Sequence, residues 1–277
     1  MRAGAAPPAD LARFVTPGSV WIVDLDGVIW LSGEPIGDVS GAVDRLVGAG
    51  ITVAFVTNNS APTRQELTAR LERAGIPAGT GQLVSSADAA ASLLAPGASV
   101  AYLGEQGLVD ALRTRGVSLP DRGPYDGAVV GWSRTFDYDD LATVSNAARD
   151  SGLLVGTNED PTHPTPEGLL PGAGSLLAAV ATASGVDPQV AGKPHGPIVD
   201  LLRKRFDLGP DGPPALAVGD QPGTDGRLAE RLGIPFALVD SGVTAPGAAV
   251  TGVPVAVRRP DFVALVDEAL SGPRSGS

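Results

Sequence analysis

Two aspartates one residue apart, Asp24 and Asp26, follow the apolar run Val20-Trp21-Ile22-Val23 and precede Gly27. Carboxylates spaced in this way can hold a divalent cation through oxygen ligands. One of them can also act as a nucleophile that takes up a phosphoryl group. Asp-Gly is equally common at turns for conformational reasons alone, so the pair by itself fits both readings. Further along, Thr57-Asn58-Asn59-Ser60 offers hydroxyl and amide donors, Gly192-Lys193-Pro194 offers a cation, and Gly219-Asp220 with Asp225 offers further carboxylates. Cleavage of a phosphate ester needs such a set: a nucleophile, donors for the phosphoryl oxygens, positive charge and metal ligands.

The elements that must position these residues follow from hydrophobic periodicity. The run at 20–23 reads as a strand buried on both faces, with Asp24 at its carboxyl end. Open α/β sheets bind ligands just beyond such ends. Val39, Val43, Leu46 and Val47 recur at helical spacing within 38–49, and Gly50 stops the helix. A second apolar strand at 51–56 ends on Thr57. Strand, helix and strand form a right-handed crossover with parallel strands, which puts Thr57 at the sheet edge of Asp24. Pro62 stands near the start of the next helix, whose N-terminus suits phosphate, although Thr-Asn-Asn-Ser also fits a plain helix cap.

A helix is expected over 85–94. Beyond Pro96-Gly97 the pattern restarts, with strands at 99–103, 127–132 and 153–156 and helices at 106–115 and 139–149. A polar, proline-rich loop at 159–164 and a helix through Ala183 complete this stretch, in which Trp132 and Tyr138 are expected to pack. After it come a helix at 197–205, a strand at 215–219 ending on Asp220, strands at 236–239 and 253–257, and a helix at 261–270. The fold class is therefore α/β: a Rossmann-like parallel-sheet core at 17–96 and 188–270, with an α/β domain inserted at 97–187 and flexible ends at 1–16 and 271–277. The N-terminal arm has room for one helical turn.

Composition narrows the function. The 277 residues carry a net charge of −11, which argues against nucleic acid as a partner, since phosphate-backbone binding needs clustered Lys and Arg. There is no cysteine, which excludes disulfides, thiol catalysis and zinc–thiolate sites. No apolar run reaches membrane-span length and the first residues lack a signal-peptide core, so the expectation is a cytoplasmic protein without a membrane partner. Lysine occurs only at Lys193 and Lys204, which makes Lys193 stand out.

Taken in order, these motifs resemble those of the haloacid dehalogenase superfamily of aspartate-nucleophile phosphatases. Asp24-Leu25-Asp26-Gly27-Val28 is similar to its first motif, Thr57-Asn58-Asn59-Ser60 to its second, Lys193 to its third, and Gly219-Asp220 with Thr224-Asp225 to its fourth. The resemblance is nearest to the branch with a large α/β cap between the second and third motifs, which includes p-nitrophenyl, pyridoxal and glycerol- or glycolate-phosphate phosphatases. It implies that Asp24 attacks phosphorus and that Asp26 protonates the leaving alcohol, then activates water. It implies Mg²⁺ held by the Asp24 carboxylate, the Asp26 carbonyl and Asp220, with Asp225 in support behind them. Thr57, Asn58, Asn59 and Lys193 would bind the phosphoryl group of a small phosphorylated metabolite. His163 matches a cap loop that reaches over the substrate in pyridoxal phosphatase relatives, while His195 has only a structural part. A homodimer formed through the cap is also implied. One departure stands out: Gln221-Pro222-Gly223 replaces a charged and aliphatic pair, and Gly226 follows Asp225 in place of isoleucine. This puts the loop path and the start of the next helix in question. A non-catalytic phosphometabolite sensor on the same fold is the alternative. A receiver domain is ruled out by length and by the insert.

Overall fold

The structure, a computed structural model, describes residues 11–77, 81–165 and 168–271. Of the flexible ends expected at 1–16 and 271–277, residues 1–10 and 272–277 lie outside the described residues. In chain order the elements are β1 (Val20–Asp24), β2 (Trp30–Leu31), β3 (Glu34–Pro35), α1 (Val39–Gly48), β4 (Thr52–Thr57), α2 (Arg64–Arg73), β5 (Gly81–Ser85) and α3 (Ser86–Ser92). Then follow β6 (Val100–Leu103), α4 (Gln106–Thr114), β7 (Gly127–Val130), α5 (Tyr138–Ser151), β8 (Leu154–Gly156), β9 (Thr162–Thr165), β10 (Gly168–Pro171), α6 (Ala173–Ser184) and β11 (Gln189–Val190). The chain closes with α7 (Gly196–Phe206), β12 (Ala215–Gly219), α8 (Arg227–Leu232), β13 (Phe236–Val239), β14 (Val257–Arg259) and α9 (Phe262–Ser271).

The chain divides into two compact units. The first comprises residues up to Val56, Thr68–Leu83 and the chain from Leu202 onward. The second comprises Thr57–Leu67 and Val84–Leu201.

The first unit is organised on a six-stranded sheet of order β14-β13-β12-β1-β4-β5. Its pairs from β14 to β4 are parallel. β1 is central and every one of its residues is buried, as a continuous apolar run requires. Burying each of its large apolar side chains contributes about 1.5–3 kcal/mol, an upper estimate because the unfolded chain already buries part of that surface. Register decides where the carboxylates fall. Val23 pairs with Val218 on β12, so Asp24 and Asp220 leave neighbouring parallel strands at the same edge. On its other side Asp24 pairs with Val56, the residue before Thr57.

Around this sheet the details follow local chemistry. The helical turn expected in the N-terminal arm forms as a 3-10 turn at Leu11–Phe14, with Leu11 and Phe14 buried. The Phe14 carbonyl accepts the indole N–H of fully buried Trp21 at 2.7 Å, which satisfies that donor inside the core. Trp21 meets Phe262 of α9 edge to face at 6.3 Å. Asp38 caps α1 by accepting from the Gly41 N–H. Two elements were not expected: the short β2–β3 hairpin where a loop was read, and β5. The last strand also lies at Val257–Arg259 rather than at 253–257.

The second unit holds a four-stranded parallel sheet of order β11-β8-β7-β6. Leu103, Val130, Val144, Leu154 and Leu177 share its core. α5 starts at a capping box in which Asp137 and Asp140 exchange backbone contacts, and Gly152 ends it in the left-handed conformation. The expected proline-rich loop is instead a hairpin, β9 paired antiparallel with β10, with His163 opposite Leu170. Tyr138, expected to pack, is 83% exposed because it is the first residue of α5 and faces solvent.

Leu46 is fully buried on α1. Leu46→Ala is expected to lower stability by about 2–5 kcal/mol in chemical denaturation, through lost burial and the residual cavity.

Candidate active site

The first unit gathers three buried carboxylates. Asp24, Asp220 and Asp225 each present an oxygen within 4.8 Å of the other two. Asp24 is the last residue of β1, and Asp220 follows the last residue of β12. Asp225 reaches the cluster because Pro222–Gly226 forms a wide helical turn that leads into α8. The Gln221-Pro222-Gly223 departure is therefore accommodated by that turn, with Asp225 Oδ2 accepting the Gln221 N–H at 3.1 Å.

Glycines make room for the acids. A side chain on Gly27 would come within 2.6 Å of Asp220 Oδ2, and one on Gly242 would overlap the same carboxylate. Gly27 also takes φ +83°, a conformation that other residues adopt only with strain. A Cβ on Gly219 would likewise collide with Asp225. The Ser241-Gly242-Val243 segment closes over the site. The Val243 N–H donates to Asp220 Oδ2 at 2.5 Å, and Ser241 Oγ donates to the Gly27 carbonyl at 2.7 Å. Sequence reading passed over this segment, although its place directly after β13 at the same sheet edge was a usable signal.

Asp26 differs from the triad. It is exposed, and its carboxylate is held by the indole N–H of buried Trp30 at 2.9 Å. The turn between them is fixed by the Gly27 N–H donating to the Trp30 carbonyl at 2.7 Å. Trp30 is a second residue that sequence reading missed, because its apolar body gave no sign that its N–H was needed.

The second unit holds the donors and the cation. Thr57 Oγ1 accepts the Asn59 N–H at 3.0 Å, which leaves its own O–H to donate. Asn59 Oδ1 accepts the Ala61 N–H at 3.1 Å, a local turn that keeps the segment folded back. Lys193, 4% exposed, has its N–H bound to Asn58 Oδ1 at 2.7 Å and its carbonyl bound to Asn58 Nδ2 at 3.1 Å. The side chain of Asn58, a residue expected to bind phosphate, is engaged with the lysine backbone. His163 stacks at a tilt on Trp132, ring centres 4.9 Å apart, and the Trp132 indole N–H donates to the Pro171 carbonyl. His195 lies 3.1 Å from the Glu159 carboxylate, consistent with a structural part.

The triad fits a hard divalent cation. All its donors are carboxylate oxygens, the ligand type that Mg²⁺ and Ca²⁺ prefer. Three like charges crowded in a buried site also repel strongly without a counter-charge.

Comparison with known proteins agrees with this geometry. A family model described as haloacid dehalogenase-like hydrolase matches residues 21–118, and a second, hydrolase-like model of the same superfamily matches 190–267. D-glycerol 3-phosphate phosphatase of Mycobacterium tuberculosis is 39% identical over 249 residues, covering 87% of this chain and 68% of that protein. Acid sugar phosphatase of Staphylococcus aureus is 33% identical, covering 81% of this chain and 87% of that one. The crystal structure of the mycobacterial glycerol phosphate phosphatase in complex with magnesium matches with a TM-score of 0.81 at 35% identity, over 95% of this chain and 80% of that one. The chain belongs to the haloacid dehalogenase-like hydrolases. Within them it is a phosphoric monoester hydrolase of the cap-containing branch. Among the described residues, no helix is long and apolar enough to cross a membrane.

Because a side chain on Gly242 would displace the Asp220 carboxylate, Gly242→Ala is expected to weaken Mg²⁺ or Mn²⁺ binding by about 10–100-fold, as loss of a ligand's supporting contacts does elsewhere. Calorimetric titration of the metal, beside a melting curve, checks this.

Proposed function

We propose that this chain is a Mg²⁺-dependent phosphatase of small phosphomonoesters that acts through an aspartyl-phosphate on Asp24. The observation that carries the reading is the buried triad of Asp24, Asp220 and Asp225 within 4.8 Å. Asp24 and Asp220, with the Asp26 carbonyl, would hold the cation. Asp225 offers its carboxylate at the same point or braces the loop behind it. When bound, Mg²⁺ would supply positive charge to the phosphoryl oxygens and to the Asp24 carboxylate.

The chemistry then divides between two side chains. An Asp24 carboxylate oxygen attacks phosphorus, and the bond from phosphorus to the ester oxygen breaks. Asp26, exposed at the turn, gives its proton to the departing alkoxide. In the second half, Asp26 takes a proton from water as the water oxygen bonds to phosphorus, and the phosphorus–Asp24 bond breaks. Phosphate leaves and both carboxylates return to their starting states. Thr57, Asn59 and Lys193 are assigned to the phosphoryl oxygens, which carry spread negative charge throughout.

Residues 97–187 are read as the cap, with His163 on the β9–β10 hairpin as a contact to the leaving group. A cap selects compact substrates by closing over them. Glycerol phosphates and sugar phosphates are the first to test, because the relatives named for them cover most of this chain. Such metabolites, and the absence of cysteine, suit a cytoplasmic enzyme. A homodimer through the cap belongs to the same reading, and sedimentation checks it.

Two substitutions test the division of labour. Asp24→Asn is expected to abolish phosphate release with the fold intact; turnover retained in that variant refutes the assignment. Asp26→Asn is expected to lower kcat/KM by about 10²–10⁴-fold for an alkyl phosphate, the usual range for a lost acid–base group, and by much less for p-nitrophenyl phosphate. The better leaving group needs no proton, so equal losses on the two esters contradict the acid role of Asp26.

A further inference from the structure

The Asn58 side chain has no donor left for a substrate. A side-chain amide carries two N–H donors and one acceptor oxygen. One donor faces the Lys193 carbonyl at 3.1 Å and the other faces Asp160 Oδ2 at 3.4 Å. The oxygen accepts the Lys193 N–H at 2.7 Å. This also fixes which end of the amide is which, since a backbone N–H must meet oxygen and a backbone carbonyl must meet nitrogen. A phosphoryl oxygen needs donors, and the Asn58 side chain has spent both.

The surroundings are built for this grip. The Asn58 carbonyl accepts Ser86 Oγ at 2.6 Å and Asn158 Nδ2 at 2.8 Å, so its backbone is held from two sides. Gly192 lets the lysine strand approach, because a side chain there would come within 2.6 Å of Asn58 Oδ1 and would overlap the Thr157 carbonyl. The Gly192 N–H in turn donates to that Thr157 carbonyl at 2.8 Å. The lysine backbone is thus pinned on both sides of its Cα by one amide placed 135 residues earlier in the chain.

We propose that the Asn58 side chain is a positioning group for Lys193: it clamps the lysine's peptide groups and acts on the phosphoryl group only through the ammonium it aims. The proposal rests on the reading of Lys193 as a phosphoryl-binding cation. An ammonium at the end of a four-carbon stem places its charge only as well as its backbone is placed, and a misplacement of about 1 Å at a reacting group can cost about 10²-fold in rate.

A double-mutant cycle separates this from direct contact. Lys193→Ala, Asn58→Ala and the double variant are compared in kcat/KM for p-nitrophenyl phosphate with Mg²⁺, and in calorimetric affinity for inorganic phosphate. Asn58→Ala is expected to lose at least about tenfold, and the double variant to match Lys193→Ala within about twofold, because residues acting through one another are not additive. Losses that multiply, or an Asn58→Ala variant with wild-type turnover, overturn the proposal. Asn58→Asp serves should the alanine variant fail to fold. It keeps the acceptor for the Lys193 N–H and places an oxygen against the Lys193 carbonyl and the Asp160 carboxylate, and its loss must again vanish when Lys193 is alanine. If Lys193→Ala itself turns over like the wild type, the role given to the lysine falls first and takes this inference with it. The single variants tell the two failures apart.

Discussion

The crowding of three carboxylates within 4.8 Å in a buried site is the constraint on which the rest of the first unit depends. Like charges at that distance repel, and burial removes the water that would screen them. The chain spends structure to hold them there. Two parallel strands in register deliver Asp24 and Asp220 to one edge, glycines at 27, 219 and 242 leave the space, and Val243 and Gln221 donate backbone N–H groups to the acids. A divalent cation among the oxygens would offset that repulsion. The phosphatase reading and the metal are therefore one claim rather than two.

The second unit solves a different problem, which is to aim a lysine. Lys193 is nearly buried, and a long flexible side chain there is useful only if its backbone is fixed. The network of Asn58, Thr157, Asn158 and Ser86 does that with neutral hydrogen bonds. Thr57 and Asn59 meanwhile bond along the chain, which shapes the segment without using the Thr57 proton.

Much of this was legible in the sequence, for physical reasons. β1, β4, β12 and β13 are continuous apolar runs, and their ends name the acids and the threonine without help from tertiary context. What escaped was decided by contacts distant in sequence. Asn58 looks like a phosphate donor by type, and only its meeting with Lys193, far along the chain, shows where its N–H groups go. Trp30 reads as core until its indole is seen on Asp26. The β9–β10 hairpin was hidden because Pro161 and Pro164 read as loop formers, yet proline is tolerated in a two-stranded hairpin whose outer edge needs no donor. The turn at Pro222–Gly226 could not be read at all, since its wide helical path is set by the demand that Asp225 reach the other acids.

The most direct measurement is chemical trapping of the covalent intermediate. The enzyme is quenched in acid during steady turnover of p-nitrophenyl phosphate with Mg²⁺, digested, and searched by mass spectrometry for a hydroxylamine-labile phosphate. The account predicts that phosphate on the peptide carrying Asp24, and on no peptide of the Asp24→Asn variant. Phosphate on another residue, or full turnover with no phosphorylated peptide under conditions that preserve acyl phosphates, would contradict it.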